Sequence, residues 1–119
     1  MQPSEYKFRI EDILVEIATV SAAMKSVREE AYVQNLPLRR MVERCVEIIS
    51  EACRHLPAEV THRYPDVPWK SIRAIGNILR HEYGRVDDHL IWRIATVSLP
   101  ELQHVMQEIL ASLPPESAP

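Results

Sequence analysis

Glycine is scarce in this sequence, with only Gly76 and Gly84 among its 119 residues. The alternation of β-branched and polar residues that is typical of half-buried strands is also missing. Charged residues interrupt every apolar stretch well before it reaches about 18 residues, the length at which a transmembrane helix becomes a candidate. We therefore expect an all-α protein, an antiparallel helical bundle of four to five helices plus a short one, with no membrane-spanning segment.

Cysteine is nearly as scarce, since Cys45 and Cys53 are the only two. Eight residues separate them on one predicted helix, which places them about 12 Å apart and too far to bridge to each other. We interpret them as reduced core residues, which is typical of a reducing compartment. The N-terminal residues show no basic segment followed by an apolar one, so no signal peptide is predicted and a cytoplasmic location is expected.

An excess of positive charge is absent too, because 14 Lys and Arg face 17 Asp and Glu, for a net charge of −3. This balance argues against a protein that binds nucleic acid over its whole surface, although it allows a local basic site. The hydrophobic content of 46% is ordinary for one globular domain. We predict a single helical domain over residues 1–113 and a disordered tail over residues 114–119, where prolines end the last helix.

Apolar residues at helical spacing begin close to the N-terminus. The first helix is predicted from an N-cap at Ser4 to about residue 30. Its inner face is predicted to consist of Phe8, Ile10, Ile13, Leu14, Ile17, Val20, Ser21, Met24 and Val27. A linker over residues 32–37 is expected to follow. Two further helices are predicted over residues 38–56 and 58–63. The next helix is expected to begin at Pro68 and to end at Gly84 in a left-handed conformation. A helix capped by Asp87 should follow, and a last helix should begin at about Pro100, with a capping box between Ser98 and Glu101.

The helix that begins at Pro68 is the one stretch whose polar residues suggest chemistry. Its apolar residues, Ile72, Ile75, Ile78 and Leu79, form one core-facing stripe. The residues projecting to the other side are Arg73, Asn77, Arg80 and His81, within an arc of roughly 100°. Tyr83 follows at the predicted helix end, where its hydroxyl should be reachable from outside.

A lone imidazole among guanidinium groups is suited to RNA phosphodiester cleavage. His81 could take the proton of a ribose 2′-hydroxyl or protonate the leaving 5′-oxygen, while Arg73 or Arg80 stabilises the phosphorane. Asn77, one turn earlier, could orient the imidazole. Because RNA carries its own nucleophile, no metal is required, and because one His rarely makes both proton transfers, two copies at a dimer interface would complete the site.

Other interpretations of these residues stay open at this stage. His81 could be a helix-end residue with a structural hydrogen bond near Tyr83, and the arginines could be ordinary surface residues. Gly76 in a helix interior is best explained by the close approach of another helix, and room for a phosphate is the second explanation. A metal site made by His55, His62, His81 or His89 lacks any ligand-spacing motif, so no metal or cofactor is predicted. A purely interacting helical module, with an aromatic docking surface made by Tyr32, Trp69 and Trp92, is the main rival to the enzyme.

Several segments together resemble a known family. They are PWKSIRAIGNILRHEYGRVDDHLIW at residues 68–92, SLPEL from Ser98, and VERCVEIISEACRHL at residues 42–56. The combination resembles the HepT-like branch of the HEPN superfamily, small all-helical bacterial proteins that act as toxins in two-gene toxin and antitoxin modules. The similarity extends from Tyr6 to Leu113.

This resemblance implies a homodimeric bundle that cleaves RNA without metal in a groove where the two motif helices face each other. Family members carry there an Arg, four to six residues, a His, any residue and a Tyr, and His81 and Tyr83 match its last two positions. The implied partner is a minimal nucleotidyltransferase antitoxin, which in some systems transfers AMP from ATP to the motif tyrosine, here Tyr83.

The sequence departs from that motif at one position. The family Arg, five positions before the His, is replaced by Gly76, while Arg73 lies eight positions before His81 and Arg80 directly precedes it. Two hypotheses follow. Either Arg80 or Arg73 supplies the missing cation, or the chain is a catalytically inactive module that binds a nucleotidyltransferase partner.

Overall fold

The computed structural model describes residues 2–115, and regular structure within this range is helical throughout. Its α-helices are α1 Pro3–Met24, α2 Glu29–Val33, α3 Leu36–Arg54, α4 Ala58–Thr61, α5 Trp69–His81, α6 Asp88–Arg93 and α7 Leu99–Ser112. A 3-10 turn, Tyr83–Arg85, follows α5, and a π-helical turn, Ile94–Ser98, joins α6 to α7. The expected all-α bundle is confirmed.

Helix α3 is the centre of the bundle, because α1 packs on one side of it and α5 on the other, while α7 packs against α1. Its inner face is apolar, with Val42, Val46 and Ile49 almost fully buried in the single core cluster. Contacts between α3 and α5 pair Arg54 with Asn77 and Glu51 with Arg80, so these helices are antiparallel. This pairing brings the motif residues of α5 onto the surface of α3.

The first helix is shorter than predicted. Gln2, not Ser4, is its N-cap, and the Gln2 backbone N–H donates to the Glu5 carboxylate at 3.0 Å. The helix ends at Met24 instead of residue 30, because Ser26 adopts a left-handed φ of 62° that no α-helix can contain. Phe8 and Ser21 do not face the core as predicted, since Phe8 is 48% exposed and Ser21 is exposed.

The predicted linker over residues 32–37 is also wrong, because most of it is helical. The turn at Ser26 lets α2 fold back against α6, and this burial explains the extra helix: Tyr32 is fully buried, with its ring 5.8 Å from the ring of Trp92. The Glu29 carboxylate meets the His89 ring at 2.7 Å on the same interface. The next two helices, α3 and α4, agree with the predictions to within two residues at each end.

Helix α5 ends without the predicted glycine cap. Neither glycine has a positive φ, and the chain after His81 turns through Glu82, whose φ of −134° and ψ of 41° leave the helix, into the 3-10 turn. The turn is closed by the Arg85 N–H donating to the Glu82 carbonyl at 2.8 Å, so the left-handed residue of a Schellman cap is unnecessary. Pro68 is the N-cap of α5, one position before its predicted place.

The predicted capping box between Ser98 and Glu101 does not form, because α6 continues into α7. Ser98 is helical, with φ −69° and ψ −42°, and caps nothing with its side chain. Pro100 lacks an N–H and its ring would clash with the carbonyl four residues earlier. The backbone widens instead, and the Leu99 N–H donates to the Ile94 carbonyl five residues before it. Asp87 does cap α6 as predicted, accepting from the backbone N–H groups of His89 and Leu90.

Three further expectations concern the cysteines, the membrane and the tail. Cys45 and Cys53 are both buried and free. Within residues 2–115, none of the helices combines the length and hydropathy that a transmembrane segment requires. Most of the predicted tail, residues 116–119, lies outside the described residues.

Candidate active site

The motif helix α5 is held against the rest of the bundle at two points. At its start, the buried Trp69 donates its indole N–H to the backbone carbonyls of Thr61 at 3.1 Å and Tyr64 at 3.0 Å. In its middle, Gly76 lies against Ser50 of α3, and a Cβ at position 76 would stand 2.8 Å from the Ser50 Cβ. The close approach of another helix predicted at Gly76 is therefore confirmed, and it brings the polar face of α5 onto α3.

Arg80 is fixed in place rather than extended into solvent. One Nη donates to the Glu51 carboxylate at 3.0 Å and the other to the Asn77 amide oxygen at 3.0 Å, and the side chain is only 28% exposed. The same guanidinium lies 4.0 Å from where a Cβ at position 76 would stand. The Arg80 side chain thus folds back over the preceding turn and lies beside position 76.

Asn77 and Arg73 lie on the same polar face of α5, before Arg80 along the helix. The Asn77 amide oxygen accepts from Arg80, and more weakly from Arg54 at 3.5 Å, so its contacts among the described residues are with guanidinium groups and not with the His81 ring. Arg73 is half-buried, and its backbone carbonyl accepts from the Ser50 hydroxyl at 3.3 Å. A shallow cleft beside them is lined by basic and neutral residues, among them Arg54, Lys70, Arg73 and Asn77.

His81 is the last residue of α5 and is exposed. No hydrogen bond or ion pair joins its ring to another residue of the described range 2–115. The structural hydrogen bond that a helix-end His could make near Tyr83 is absent there, because the Tyr83 hydroxyl has a different partner. The imidazole next to Arg80 is therefore chemically available.

Tyr83 is 42% exposed, and its hydroxyl donates to the Glu43 carboxylate of α3 at 2.9 Å. The guanidinium carbon of Arg40 lies 4.7 Å from the centre of the Tyr83 ring, in a cation-π arrangement. Burial, followed by the hydrogen bond to Glu43, raises the pKa of the Tyr83 phenol above its ordinary value. The phenol is thus protonated at neutral pH and held by its oxygen, while part of the ring faces solvent.

Sequence reasoning missed the two glutamates that hold these groups. The pKa of Glu51 is lowered, first by the hydrogen bond from Arg80 and then by the one from His55. Glu43 is only 5% exposed, although its side chain ends in a carboxyl group. Both belong to the segment at residues 42–56, but nothing in the spacing of one helix indicates which residue of another it meets. A polar residue on the buried face of an amphipathic helix, as at Glu43, is the one signal that could have singled it out.

The histidines considered for a metal site lie apart. His55 contacts Glu51 at 3.2 Å on α3, and His89 contacts Glu29 at the α2 and α6 interface. Among residues 2–115, no three His, Cys, Asp or Glu side chains are placed together as metal ligands.

Comparison with known proteins identifies the family of the chain. The family described as "Ribonuclease HepT-like" matches residues 10–109. A protein of Caldanaerobacter subterraneus subsp. tengcongensis, named "Putative RNase", is 36% identical over 101 residues, which cover 85% of this chain and 90% of the relative. A "Putative RNase" of Methanocaldococcus jannaschii is 31% identical over 87% of this chain and 94% of its own length. A "Probable ribonuclease HepT" of Thermococcus cleftensis is 24% identical over 87% of this chain and 94% of its own length. No solved structure matches the chain.

The fold is an all-helical bundle, and its motif helix carries an exposed His next to a hydrogen-bonded Arg. The chain belongs to the HepT-like ribonuclease family, since that family matches residues 10–109 of this 119-residue chain. The resemblance seen in the sequence is confirmed. Its relatives carry ribonuclease names, so a ribonuclease function is supported at the level of the family.

Proposed function

We propose that this protein is a metal-independent endoribonuclease toxin that cleaves RNA at His81. The observation that carries the proposal is an exposed imidazole, without a partner among residues 2–115, directly beside a guanidinium that two hydrogen bonds hold in place. His81 acts as general acid or base in the attack of a ribose 2′-hydroxyl on the adjacent phosphate. The reaction forms a 2′,3′-cyclic phosphate and releases a 5′-hydroxyl.

We propose that Arg80 binds the phosphate, in place of the family's motif Arg, which is replaced by Gly76 in this chain. Two facts support it: its guanidinium lies 4.0 Å from where a side chain at position 76 would begin, and it is oriented by Glu51 and Asn77. A preorganised guanidinium stabilises the charge that develops on the phosphorane without reorganising at the moment of reaction.

Asn77 and Arg73 take supporting roles in this proposal. Asn77 orients the Arg80 guanidinium through the 3.0 Å hydrogen bond, which differs from the orienting of the imidazole expected from spacing. Arg73 borders the basic cleft at the other end of α5, where the RNA backbone can pass. Phosphate contacts of this kind position the strand and carry little sequence information.

A homodimer completes the site, since each described chain has a single His on this polar face and two proton transfers are needed. Two motif helices that face each other across a twofold axis would supply one imidazole for each transfer. The test is a mixing experiment with wild-type and His81→Ala chains, unfolded and refolded together. A composite site predicts that about one quarter of the activity remains at equal amounts, whereas independent sites predict about one half.

The proposed partner is a minimal nucleotidyltransferase antitoxin that transfers AMP to Tyr83, in the cytoplasm. Support for this assignment comes from the exposed part of the Tyr83 ring, which another enzyme can approach, and from the match to the family motif. The intact mass of the chain after coexpression with such an enzyme tests it. Tyr83→Phe should gain no AMP, and modification of that variant at the wild-type rate contradicts the assignment.

One observation favours the alternative, a catalytically inactive module that binds the nucleotidyltransferase. The ion pair between Arg80 and Glu51, at 3.0 Å, already neutralises the guanidinium on which the enzyme proposal depends. For Arg80 to bind a phosphate it must share or leave Glu51. An inactive module would keep this ion pair as a purely structural contact.

Cleavage by the purified, unmodified chain decides between the two. We expect wild-type protein to degrade single-stranded RNA and His81→Ala to lose activity by about 100-fold or more, because general acid and base catalysis contributes factors of that order. His104→Ala is the matched control, since His104 is exposed on α7, away from the motif helix. Intact RNA in the presence of folded wild-type chain favours the inactive module.

A further inference from the structure

Glu43 is an unusual residue in its position, because it is a carboxylate with 5% exposure on the inner part of α3. Its Oε1 accepts the hydroxyl proton of Tyr83 at 2.9 Å, across 40 residues of sequence. Charged side chains are almost never buried to this extent without a partner. The contact is therefore a specific one, and it fixes the phenol oxygen of the residue proposed to be modified.

The surroundings of this contact are polar and only partly satisfied. Arg39 binds Asp88 at 2.7 Å, and Arg40 covers the Tyr83 ring. The Tyr32 hydroxyl is buried without a hydrogen-bond partner among the described residues, and burial, followed by the nearby charge of Glu43, raises its pKa. Glu43 thus interacts electrostatically with two tyrosines and makes its hydrogen bond with the one that reaches the surface.

The phenol of Tyr83 needs a base before it can act as a nucleophile. Its raised pKa keeps it protonated at neutral pH, so very little phenolate is present. The hydroxyl proton points at Glu43, and no contact between the His81 ring and the Tyr83 hydroxyl is present among residues 2–115. The carboxylate is the group already in hydrogen-bond reach of the proton that must leave, which is the geometric requirement for a general base.

We propose that Glu43 is the proton acceptor for modification of Tyr83 and holds its hydroxyl for attack on an electrophile delivered from solvent. This inference rests on the proposed function, in which the electrophile is the α-phosphorus of a nucleoside triphosphate held by the nucleotidyltransferase. The Tyr83 oxygen forms a bond to that phosphorus, the bond from phosphorus to the bridging oxygen breaks, and pyrophosphate leaves with the electron pair. The phenol proton passes to the Glu43 Oε1.

The same geometry makes the modification hard to reconcile with the original contact. An esterified Tyr83 oxygen has no proton to donate, and its phosphodiester adds a negative charge beside the buried Glu43. An unpaired buried carboxylate next to a like charge is unfavourable. The modified ring is therefore expected to leave Glu43 and turn outward, with Arg40 as the nearest cation for the phosphate.

A chemical probe tests the role of Glu43 without any partner enzyme. An aryl sulfonyl fluoride forms a bond from sulfur to the phenol oxygen, releases fluoride and leaves the proton to a base. We expect Glu43→Gln, which keeps a hydrogen-bonding oxygen but is no longer basic, to slow labelling of Tyr83 at pH 7 by at least about tenfold. If Glu43 acts only through its charge, its removal lowers the pKa of Tyr83 and labelling stays equal or speeds up, which overturns the proposal.

Controls within the same chain make this result interpretable. Glu47→Gln, one turn further along α3 and paired with Arg44, makes the same charge change and should label at the wild-type rate. Tyr64, which is half-buried, serves as an internal reference on each labelled sample. If Glu43→Gln does not fold, Glu43→Asp keeps the charge and withdraws the carboxylate, so slower labelling supports the proposal and an unchanged rate overturns it.

A second arm uses ATP and a minimal nucleotidyltransferase, with AMP gain read by intact mass. Slow AMP gain by Glu43→Gln supports the proposal, and gain at the wild-type rate overturns it. A wild-type chain that gains no AMP, yet is sulfonylated in a Glu43-dependent way, contradicts the proposed AMP transfer while supporting Glu43 as proton acceptor. The two failures are therefore distinguishable.

Discussion

Substituting Gly76 by Ala should destabilise the protein through a single contact with Ser50. A Cβ at position 76 would lie 2.8 Å from the Ser50 Cβ and closer still to its hydroxyl oxygen. Ser50 is fully buried and its Cβ is fixed to the α3 backbone, so the side chain cannot simply rotate away. The helices α3 and α5 must separate to admit the added methyl group.

The expected magnitude is a balance of two opposing effects. Overpacking a well-packed contact costs about 1–3 kcal/mol. Ala in a helix interior is better than Gly by about 1 kcal/mol, which offsets part of that cost. We expect a net loss of up to about 2 kcal/mol, which for a domain of this size corresponds to a fall in Tm of up to roughly 8 °C.

A double-mutant cycle measured by urea unfolding isolates the contact. In a Ser50→Gly background the obstacle is gone, so Gly76→Ala should become stabilising by up to about 1 kcal/mol through helix propensity alone. Gly84→Ala is the matched control, because no atom lies within 4 Å of its added Cβ and its φ is not positive. That variant should be neutral or slightly stabilising.

The reasoning is refuted if Gly76→Ala stabilises the wild-type chain, or if it costs the same in both backgrounds. Either result would mean that the steric contact with Ser50 does not set the spacing of α3 and α5. The position of Arg80 against Glu51 would then need another explanation.

Three other predictions follow from single contacts. Glu51→Gln should tighten binding of a non-cleavable 2′-O-methyl RNA by about two- to fivefold, because the amide oxygen can keep the hydrogen bond that orients Arg80 while the competing negative charge is removed. Fluorescence anisotropy that shows no change or weaker binding argues against Arg80 as a clamp. The pKa of His89 is raised from 6.5, mainly by its hydrogen bond to Glu29. This contact therefore stabilises the fold fully at pH values below 6.5, the unfolded pKa, and the stabilisation is lost as the pH rises through the pKa of the folded state. An NMR titration should show the His89 midpoint return toward 6.5 in Glu29→Gln, and an unchanged midpoint would contradict the contact. Burial raises the pKa of the Cys53 thiol to about 12. Cys53 should therefore resist a thiol reagent at pH 8 until the chain unfolds. Rapid labelling of Cys53 in the folded protein would show that the reagent reaches the core around this residue.

The parts of the fold that could be predicted from sequence depend on local signals. The amphipathic stripe of α5 and the side-chain cap at Asp87 are determined by residues within one or two turns. The role of Gly76 was also predictable, because a glycine inside a helix requires a steric reason. The exposed His81 follows from its place opposite the apolar stripe.

The parts that could not be predicted depend on contacts distant in sequence. The chain breaks at Ser26 because Tyr32 is buried against Trp92, which lies 60 residues further along than Tyr32. The partners of Arg80 and Tyr83 lie on α3, and only the antiparallel alignment of α3 with α5 brings Glu51 and Glu43 to them. Spacing within α5 suggested that Asn77 would face His81, whereas Arg80 competes successfully for its amide oxygen.

The central claim is that His81 cleaves RNA by activating the ribose 2′-hydroxyl. The most direct measurement is mass analysis of the ends left on a defined single-stranded RNA by the unmodified chain in excess chelator, beside the His81→Ala variant. The account predicts 2′,3′-cyclic phosphate and 5′-hydroxyl ends with wild-type protein and intact RNA with the variant. Ends with a 3′-hydroxyl and a 5′-phosphate, or equal cleavage by the variant, would contradict it.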